Sequence, residues 1–369
     1  MTCAELFTHI ESWAPKEIAW QKDNVGLQVG SSKSKINNIL LSLDLTEEVI
    51  KEALTQKCNL IITHHPLLFH PLKKIAIDND STSQLVQQLL ANKITLYSAH
   101  TNLDFTKDGV SFQLANQLDL KDIKFLEPFN SNQIKVVVFI PANFVEKVSA
   151  EIFSTGAGTI GEYNNCSFRV IGEGTFLGSG KSSPAVGLKG KLERVEEVRI
   201  EIISDKWNLE NIIEAIKKNH PYEEPAFDIY PIENENKKYG AGSIGILDTP
   251  MNEKDFLKYV SKRLRIKNFR FTTGNKKTIT SVAVCGGSGS DLIKPALKLG
   301  ADAFITADVH YHTFHEANKK ILLIDAGHYE TEIFVLGELQ KKISQKLLDE
   351  RIKIFKIKRT TNPIEFYNN

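Results

Sequence analysis

The sequence predicts an α/β protein with a largely parallel sheet, interrupted by a smaller α+β insertion. Strands and helices alternate from about residue 39 to 104 and again from about 253 to 357, the pattern of successive βαβ units. Between them the order changes to β-α-β-β-α-β, that of a ferredoxin-like unit. A chain of 369 residues also exceeds the usual size of one hydrophobic core, so two domains are expected. The expected division is 1–128 for the first half of an α/β domain, 129–235 for the insertion, and 236–369 for the second half.

Met1 to Trp13 has the spacing of an amphipathic helix, with Glu5 and Glu11 on it, and lacks the basic start and long apolar centre of a secretory signal. Asp23 to Gly30 reads as a turn-rich segment. Ile39 to Leu43 is a strand ending at Asp44. Thr46 then offers a helix cap, with Glu47 and Glu48 in the first turn, where carboxylates favour the positive end of the dipole, and the helix runs to about Lys57. Asn59 to Thr63 is a short apolar, β-branched strand bounded by Pro66, which cannot extend a central ladder. A helix from Ser81 to Asn92 carries Leu85, Val86, Leu89 and Leu90, and Ile94 to Ala99 is the next strand.

In the insertion, Lys135 to Pro141 is a strand, Asn143 caps a helix to about Ser154, and Thr155 to Gly158 ends it. Gly172 to Leu188 is rich in Gly and Ser and reads as loose chain. Val195 to Ile203 alternates as a strand does, Asn208 to Asn219 has helical spacing, and Ala226 to Tyr230 closes the unit. Lys237 to Gly245 then reopens the α/β pattern. It continues with a helix over Glu253 to Leu264, strands at Thr280 to Cys285, Ala301 to Thr306 and Lys320 to Asp325, one long helix from about His328 to Asp349, and a last strand, Arg351 to Ile357.

Composition argues against several function classes without excluding nucleic acid. With 46 basic against 45 acidic residues, no global field draws the chain to nucleic acid or to acidic lipid, and no apolar run approaches membrane-spanning length. Cys3, Cys58, Cys166 and Cys285 are far apart and form no CxxC pair, which suits a reducing compartment, so a cytoplasmic location is expected. Cys58 and Cys285 lie in apolar stretches and read as small buried side chains.

Three polar clusters share one position, just past a predicted strand end, where open α/β sheets place their ligands. They are His64 with His65, His100 with Asp104, and His328 with Glu332. The last pair, His328 with Glu332, is spaced i, i+4, so both side chains leave one side of a helix. Imidazoles and carboxylates without thiolates suit zinc, manganese or iron(II). Even with His100 set aside, five such ligands exceed the needs of one tetrahedral zinc, so two ions bridged by a carboxylate, roughly 3.5–4 Å apart, are the natural inference. His100 either binds an ion itself or moves protons from behind the ligands. Successive strand residues point to opposite sides, so His64 and His65 reach one site only if the backbone turns between them or two ions lie side by side.

Other polar residues have blander readings. His9 and His220 read as histidines satisfied by neighbouring carbonyls. Gly286 to Gly289 matches neither the Walker pattern nor the dinucleotide fingerprint, and a tight strand-to-helix turn is preferred to a phosphate cradle. Asp308, His310, His312 and His315 form a second polar group at a strand end; some of them could line the same pocket, with His315 read as a helix-surface residue. Tyr222, Glu223 and Glu224 between two prolines read as a rigid turn, with a subunit contact as the alternative.

Thr63 to Phe69, Ser98 to Asp104 and Asp325 to Glu332, together with Val282 to Gly287 and His220 to Asp228, closely resemble the motifs of the GTP cyclohydrolase I type 2 homologue family, also known as the NIF-three-like dinuclear-metal proteins. The resemblance spans the whole chain. It implies a split α/β metal-binding domain, an insertion similar to the CutA and PII-like ferredoxin folds, and a toroidal homohexamer. It places the metal ligands on His64, His65, Asp104, His328 and Glu332, with one ion held by His64 and His328, the other by His65 and Asp104, and Glu332 bridging.

The expected function is a metal-dependent hydrolase holding two divalent ions per chain, zinc first and iron or manganese as alternatives. Hydroxide held between the ions would attack an electrophilic carbon of a small-molecule substrate, with GTP or a related nucleotide as candidate, and His100 would move protons. The alternative is a regulatory or scaffold ring that binds a ligand or polymer without turnover.

Overall fold

A computed structural model of the protein describes residues 1–130, 132–183, 185–347 and 351–367. The chain separates into two compact units, one built from Met1–Pro128 with Lys238–Asn369 and the other from Phe129–Lys237.

The first unit contains two mixed sheets. In the five-stranded sheet the order is Gly26–Val29, Thr95–Ser98, Leu60–Thr63, Asn38–Ser42, Lys353–Lys356. All neighbours are parallel except Gly26–Val29, which runs antiparallel to Thr95–Ser98. The six-stranded sheet runs Arg270–Thr272, Leu322–Asp325, Ala303–Ala307, Thr278–Ser288, Glu235–Asn252, Lys121–Asn130. Its three central strands are parallel, and Arg270–Thr272 and Glu235–Asn252 run against them. The expected parallel sheet thus holds for the inner strands and for the edge strand Lys353–Lys356. The inner strands are largely buried, as parallel strands with both faces covered are.

Helices cover both faces of the five-stranded sheet. Cys3–Trp13 and Val335–Lys346 bury Leu6, Ile10, Leu339 and Ile343 against Ile39, Leu41 and Ile62, while Glu47–Thr55 and Ser81–Ala91 bury Val49, Ile50, Val86 and Leu89 against Leu40, Ile61 and Leu96. Ile39/Leu41 and Leu40 point to opposite faces because strand side chains alternate. Thr46 caps its helix as expected, accepting a hydrogen bond from the Val49 amide.

Local expectations fail in four places, each for a physical reason. Gly26–Val29 is an edge strand within the supposed turn: Gly26 and Gly30, both at φ +99°, make the bends at its ends, and a Cβ on Gly30 would stand 2.8 Å from Thr95 Cα. The helix to Ser154 starts at Val145 without a side-chain cap, because a 3₁₀ turn over Ala142–Phe144 displaces Asn143. Gly172 and Gly174 lie inside the strand Phe168–Leu177, where a Cβ on Gly174 would run into the Glu197 carboxylate. The long C-terminal helix is two helices, His328–Glu332 and Val335–Lys346, because Phe334 packs into one core and Val335 and Leu336 into another. Its expected end at Asp349 lies outside the described residues.

The second unit has an antiparallel sheet in the order Phe168–Leu177, Leu192–Asp205, Gln133–Pro141, Phe227–Pro231, with helices Val145–Ser154 and Leu209–Asn219. This is a ferredoxin-like arrangement. Val148, Ile152, Ile212 and Ile216 pack on Val136, Val138, Ile200 and Ile202, alternate residues of the two central strands.

Candidate metal centre

Each candidate ligand is delivered just beyond a strand end in the first unit. Leu60–Thr63 stops at Thr63, whose hydroxyl donates to the His65 carbonyl at 2.8 Å and turns the chain. That turn resolves the alternation problem, leaving the two imidazoles 4.9 Å apart between ring centroids. Thr95–Ser98 leads to His100 and to the one-turn helix Thr101–Asp104. Leu322–Asp325 leads to Gly327, at φ +92°, and then to His328 and Glu332 on one helical turn.

The far nitrogen of every ring is fixed. His64, buried, donates from Nδ1 to the Ala99 carbonyl at 2.7 Å. Nδ1 of His65 lies 2.7 Å from Asp44 Oδ1, Nδ1 of His328 lies 2.6 Å from Asp308 Oδ2, and Nδ1 of His100 lies 2.9 Å from Asp23 Oδ1. Partners of this kind set the tautomer and turn Nε2 inward, as around metal-binding histidines generally. Nε2 of His65 and Nε2 of His328 are 3.3 Å apart. Glu332 sits against both, with Oε2 at 3.0 Å from His65 Nε2 and Oε1 at 3.1 Å from His328 Nε2.

The donor set fits metal ions. Nε2 of His64, Oδ1 of Asp104 and Oε2 of Glu332 are shut away from solvent without a hydrogen bond. Leaving one such group unsatisfied costs about 1–3 kcal/mol, and more when it is charged, so three in one nest call for a shared cation. Two groups bring their ligand atoms within 4.8 Å of one another, His64 with His65 and His100, and His65 with His328 and Glu332. Asp104 joins neither group but places Oδ1 3.5 Å from His64 Nε2. Cys285 joins neither group; burial, followed by the nearby Asp104 charge, pushes its thiol up to about 12.

Protonation follows from these contacts. Burial of Glu332 opposes its charge, but the surrounding imidazoles outweigh that and hold it well below the usual carboxylate range. Burial also opposes charge on His65 and His328, yet their carboxylate partners raise them to about 10 and about 9. Asp104 is pushed up to about 7, mainly by burial; His64 pulls the other way, and the neighbouring Glu332 charge adds to the rise. Asp23, despite its burial, is held at about 2 by hydrogen bonds from His100 and Thr101.

The side-chain distances do not follow the ion pairing that the resemblance implies. His64 is anchored on Ala99 and stands nearest Asp104, which follows the same strand, whereas His65 is anchored on Asp44 and turns towards His328. Distances therefore group His64 with Asp104 and His65 with His328, with Glu332 between them.

The glycine stretch serves the centre by giving room. The amides of Gly286, Gly287 and Gly289 are taken by Ser111, Thr331 and Thr306 hydroxyls, so they are not a phosphate cradle. A Cβ on Gly287, at φ +62°, would run into Glu332 Oε1. His9 and His220 do bond carbonyls, of Lys342 and Phe139, each at 2.9 Å. Of the second polar group, Asp308 reaches the centre; His310 and His312 are exposed, and His315 stacks edgewise on Tyr311 at 4.6 Å. The carboxylates Asp23, Asp44 and Asp308 were not singled out as partners of the rings from sequence. Their one signal is that Asp44 and Asp308 directly follow strands.

Fold and site together define an α/β protein with a partly buried histidine–carboxylate centre able to hold metal ions. The chain belongs to the Duf34/NIF3 (NGG1p interacting factor 3) family, which matches residues 1–363. It is 38% identical over 352 residues to the GTP cyclohydrolase 1 type 2 homolog of Halalkalibacterium halodurans, covering 95% of this chain and 93% of that protein. To the GTP cyclohydrolase 1 type 2 homolog of Bacillus subtilis it is 36% identical over 366 residues, covering 98% of each. A solved structure of a Bacillus cereus protein related to NIF3 superposes with a TM-score of 0.86 at 36% identity, covering 100% of this chain and 99% of that one. Among the described residues no helix is long and apolar enough to cross a membrane.

Proposed function

We propose that this chain holds two divalent ions, zinc before iron or manganese, between His64, Asp104, His65, His328 and Glu332, and that it is a hydrolase of a small molecule of the nucleotide class. A toroidal homohexamer is the assembly in which we place it. The observation that carries this reading is the convergence of three buried atoms without hydrogen bonds on two imidazole nitrogens 3.3 Å apart. Bound ions would supply the nucleophile, lowering the pKa of a water from about 15.7 to about 7.

The chain's own residues supply orientation and proton transfer. Asp44 and Asp308 fix the rings of His65 and His328. His100 stands 5.3 Å from His64 and 5.6 Å from His65 between ring centroids, with Asp23 fixing its tautomer, so it can accept a proton at the centre and return it to a leaving group. The names of the Halalkalibacterium and Bacillus relatives make GTP the first substrate to try. The test is turnover of metal-analysed protein against a nucleotide panel including GTP, beside Glu332→Ala. Product from the wild type alone supports the hydrolase. Inert wild type with two ions per chain across the panel favours a binding or scaffold role.

A further inference from the structure

A groove in the first unit, separate from the metal centre, combines an apolar floor with a cationic rim. Its free volume is about 590 Å³. Ile333, Phe334 and Leu336, from the junction of the last two helices, line the floor together with Tyr329 and Leu264. Arg265, Lys356, Lys358 and Arg359 line the rim. Lys356 ends the C-terminal strand and Lys358 lies two residues further on, both exposed, while Phe355 and Ile357 pack against the core. Arg265 is placed by the left-handed turn, φ +59°, that ends the helix Glu253–Leu264.

Among the described residues, none of these four cations is in an ion pair. The one carboxylate in the lining, Glu330, accepts a hydrogen bond from Asn362 Nδ2 at 2.9 Å. An apolar slot with a few convergent charged groups is the general form of a small-molecule site, and clustered Lys and Arg recognise phosphate. The groove is linked to the centre along the chain, since Tyr329 and Glu330 of its lining fall between His328 and Glu332. Thr361, two residues past Arg359, donates to Asp44 Oδ2 at 2.8 Å, and Asp44 holds His65.

We propose that this groove is a binding site for a phosphorylated small molecule, its phosphates on Lys356, Lys358 and Arg359 and its apolar part against Phe334 and Leu336. The site is independent of the hydrolytic reading, because its residues bind no metal and touch none of the reacting atoms. Inorganic triphosphate is the probe, added to full-length protein freed of metal by chelation and followed by titration calorimetry at fixed ionic strength, with sulfate as reference. GTP is the second probe.

The wild type is expected to bind triphosphate at least ten-fold more tightly than sulfate. The variant carrying Lys356→Ala, Lys358→Ala and Arg359→Ala should bind it at least ten-fold more weakly; the three side chains are exposed, so folding is not at stake. GTP binding more tightly than triphosphate identifies a nucleotide as occupant, whereas equal binding identifies free polyphosphate. Equal affinity of variant and wild type, or no preference over sulfate, overturns the proposal. Because the protein is metal-free, either result is obtained whether or not the metal centre turns over.

Discussion

The Nε2 atoms of His65 and His328 stand 3.3 Å apart on rings whose Nδ1 atoms are each engaged by a carboxylate, Asp44 and Asp308. Two neutral rings so anchored would present lone pair to lone pair. The carboxylates around both rings raise their values against the pull of burial, which favours a proton on each Nε2, directed at Glu332. A metal ion bound there would have to displace those protons.

Removing the anchors should loosen the ions without removing a ligand. Asp44→Asn and Asp308→Asn are expected to weaken binding of an ion by about 10- to 100-fold, the usual effect of losing a partner behind a metal-binding histidine. Competition with a chromogenic chelator measures it. Unchanged affinity in both variants would separate these carboxylates from the centre.

The pH dependence of stability should have opposite signs in the two states. His65 and His328, raised to about 10 and about 9, stabilise the metal-free fold fully below the unfolded histidine pKa of about 6.5, and that contribution is lost as pH rises through 9 to 10. Glu332, held low, contributes above the unfolded value of about 4.3 and loses its contribution as pH falls through its depressed folded value. Metal must displace the histidine protons, so its binding strengthens with rising pH. The gain in Tm on adding metal should grow from pH 6 to 9 in scanning calorimetry; a constant gain would contradict the exchange.

His100 and Asp23 should matter to turnover and not to metal content. His100→Gln or Asp23→Asn is expected to lower kcat by about 10²- to 10⁴-fold, the range for general acid–base groups, with metal stoichiometry intact. Loss of an ion in His100→Gln would make His100 a ligand instead, as its place beside His64 and His65 also permits.

Gly287→Ala should injure the centre through sterics alone. The new Cβ would collide with Glu332 Oε1 at a backbone position, φ +62°, that already disfavours a side chain. Metal content below that of the wild type in a folded variant is the expected result, read by circular dichroism and elemental analysis.

The inner strands and the histidines after them were legible because short apolar β-branched runs ending in polar residues have few alternatives in an α/β chain. Glu253–Leu264 was readable to the residue, and the structure adds Asn252 as its cap. The edge strands were not: Gly26–Val29 has glycine bends for punctuation, and Arg270–Thr272 is three residues long, too short for any period to show. The His328–Glu332 spacing marked two ligand-type side chains, but not the break at Ile333 and Phe334, which two separate cores impose. Nor could the pairing of His64 with Asp104 be read, since it depends on the Ala99 carbonyl that fixes the ring of His64.

Elemental analysis of purified, metal-loaded protein beside Glu332→Ala, both checked for folding, tests the central claim most directly. Two divalent ions per chain in the wild type, and a loss of at least one in the variant, is the result expected from a carboxylate set between two pairs of ligands. A wild type that retains no stoichiometric metal after loading, or a variant that holds as much as the wild type, would contradict it.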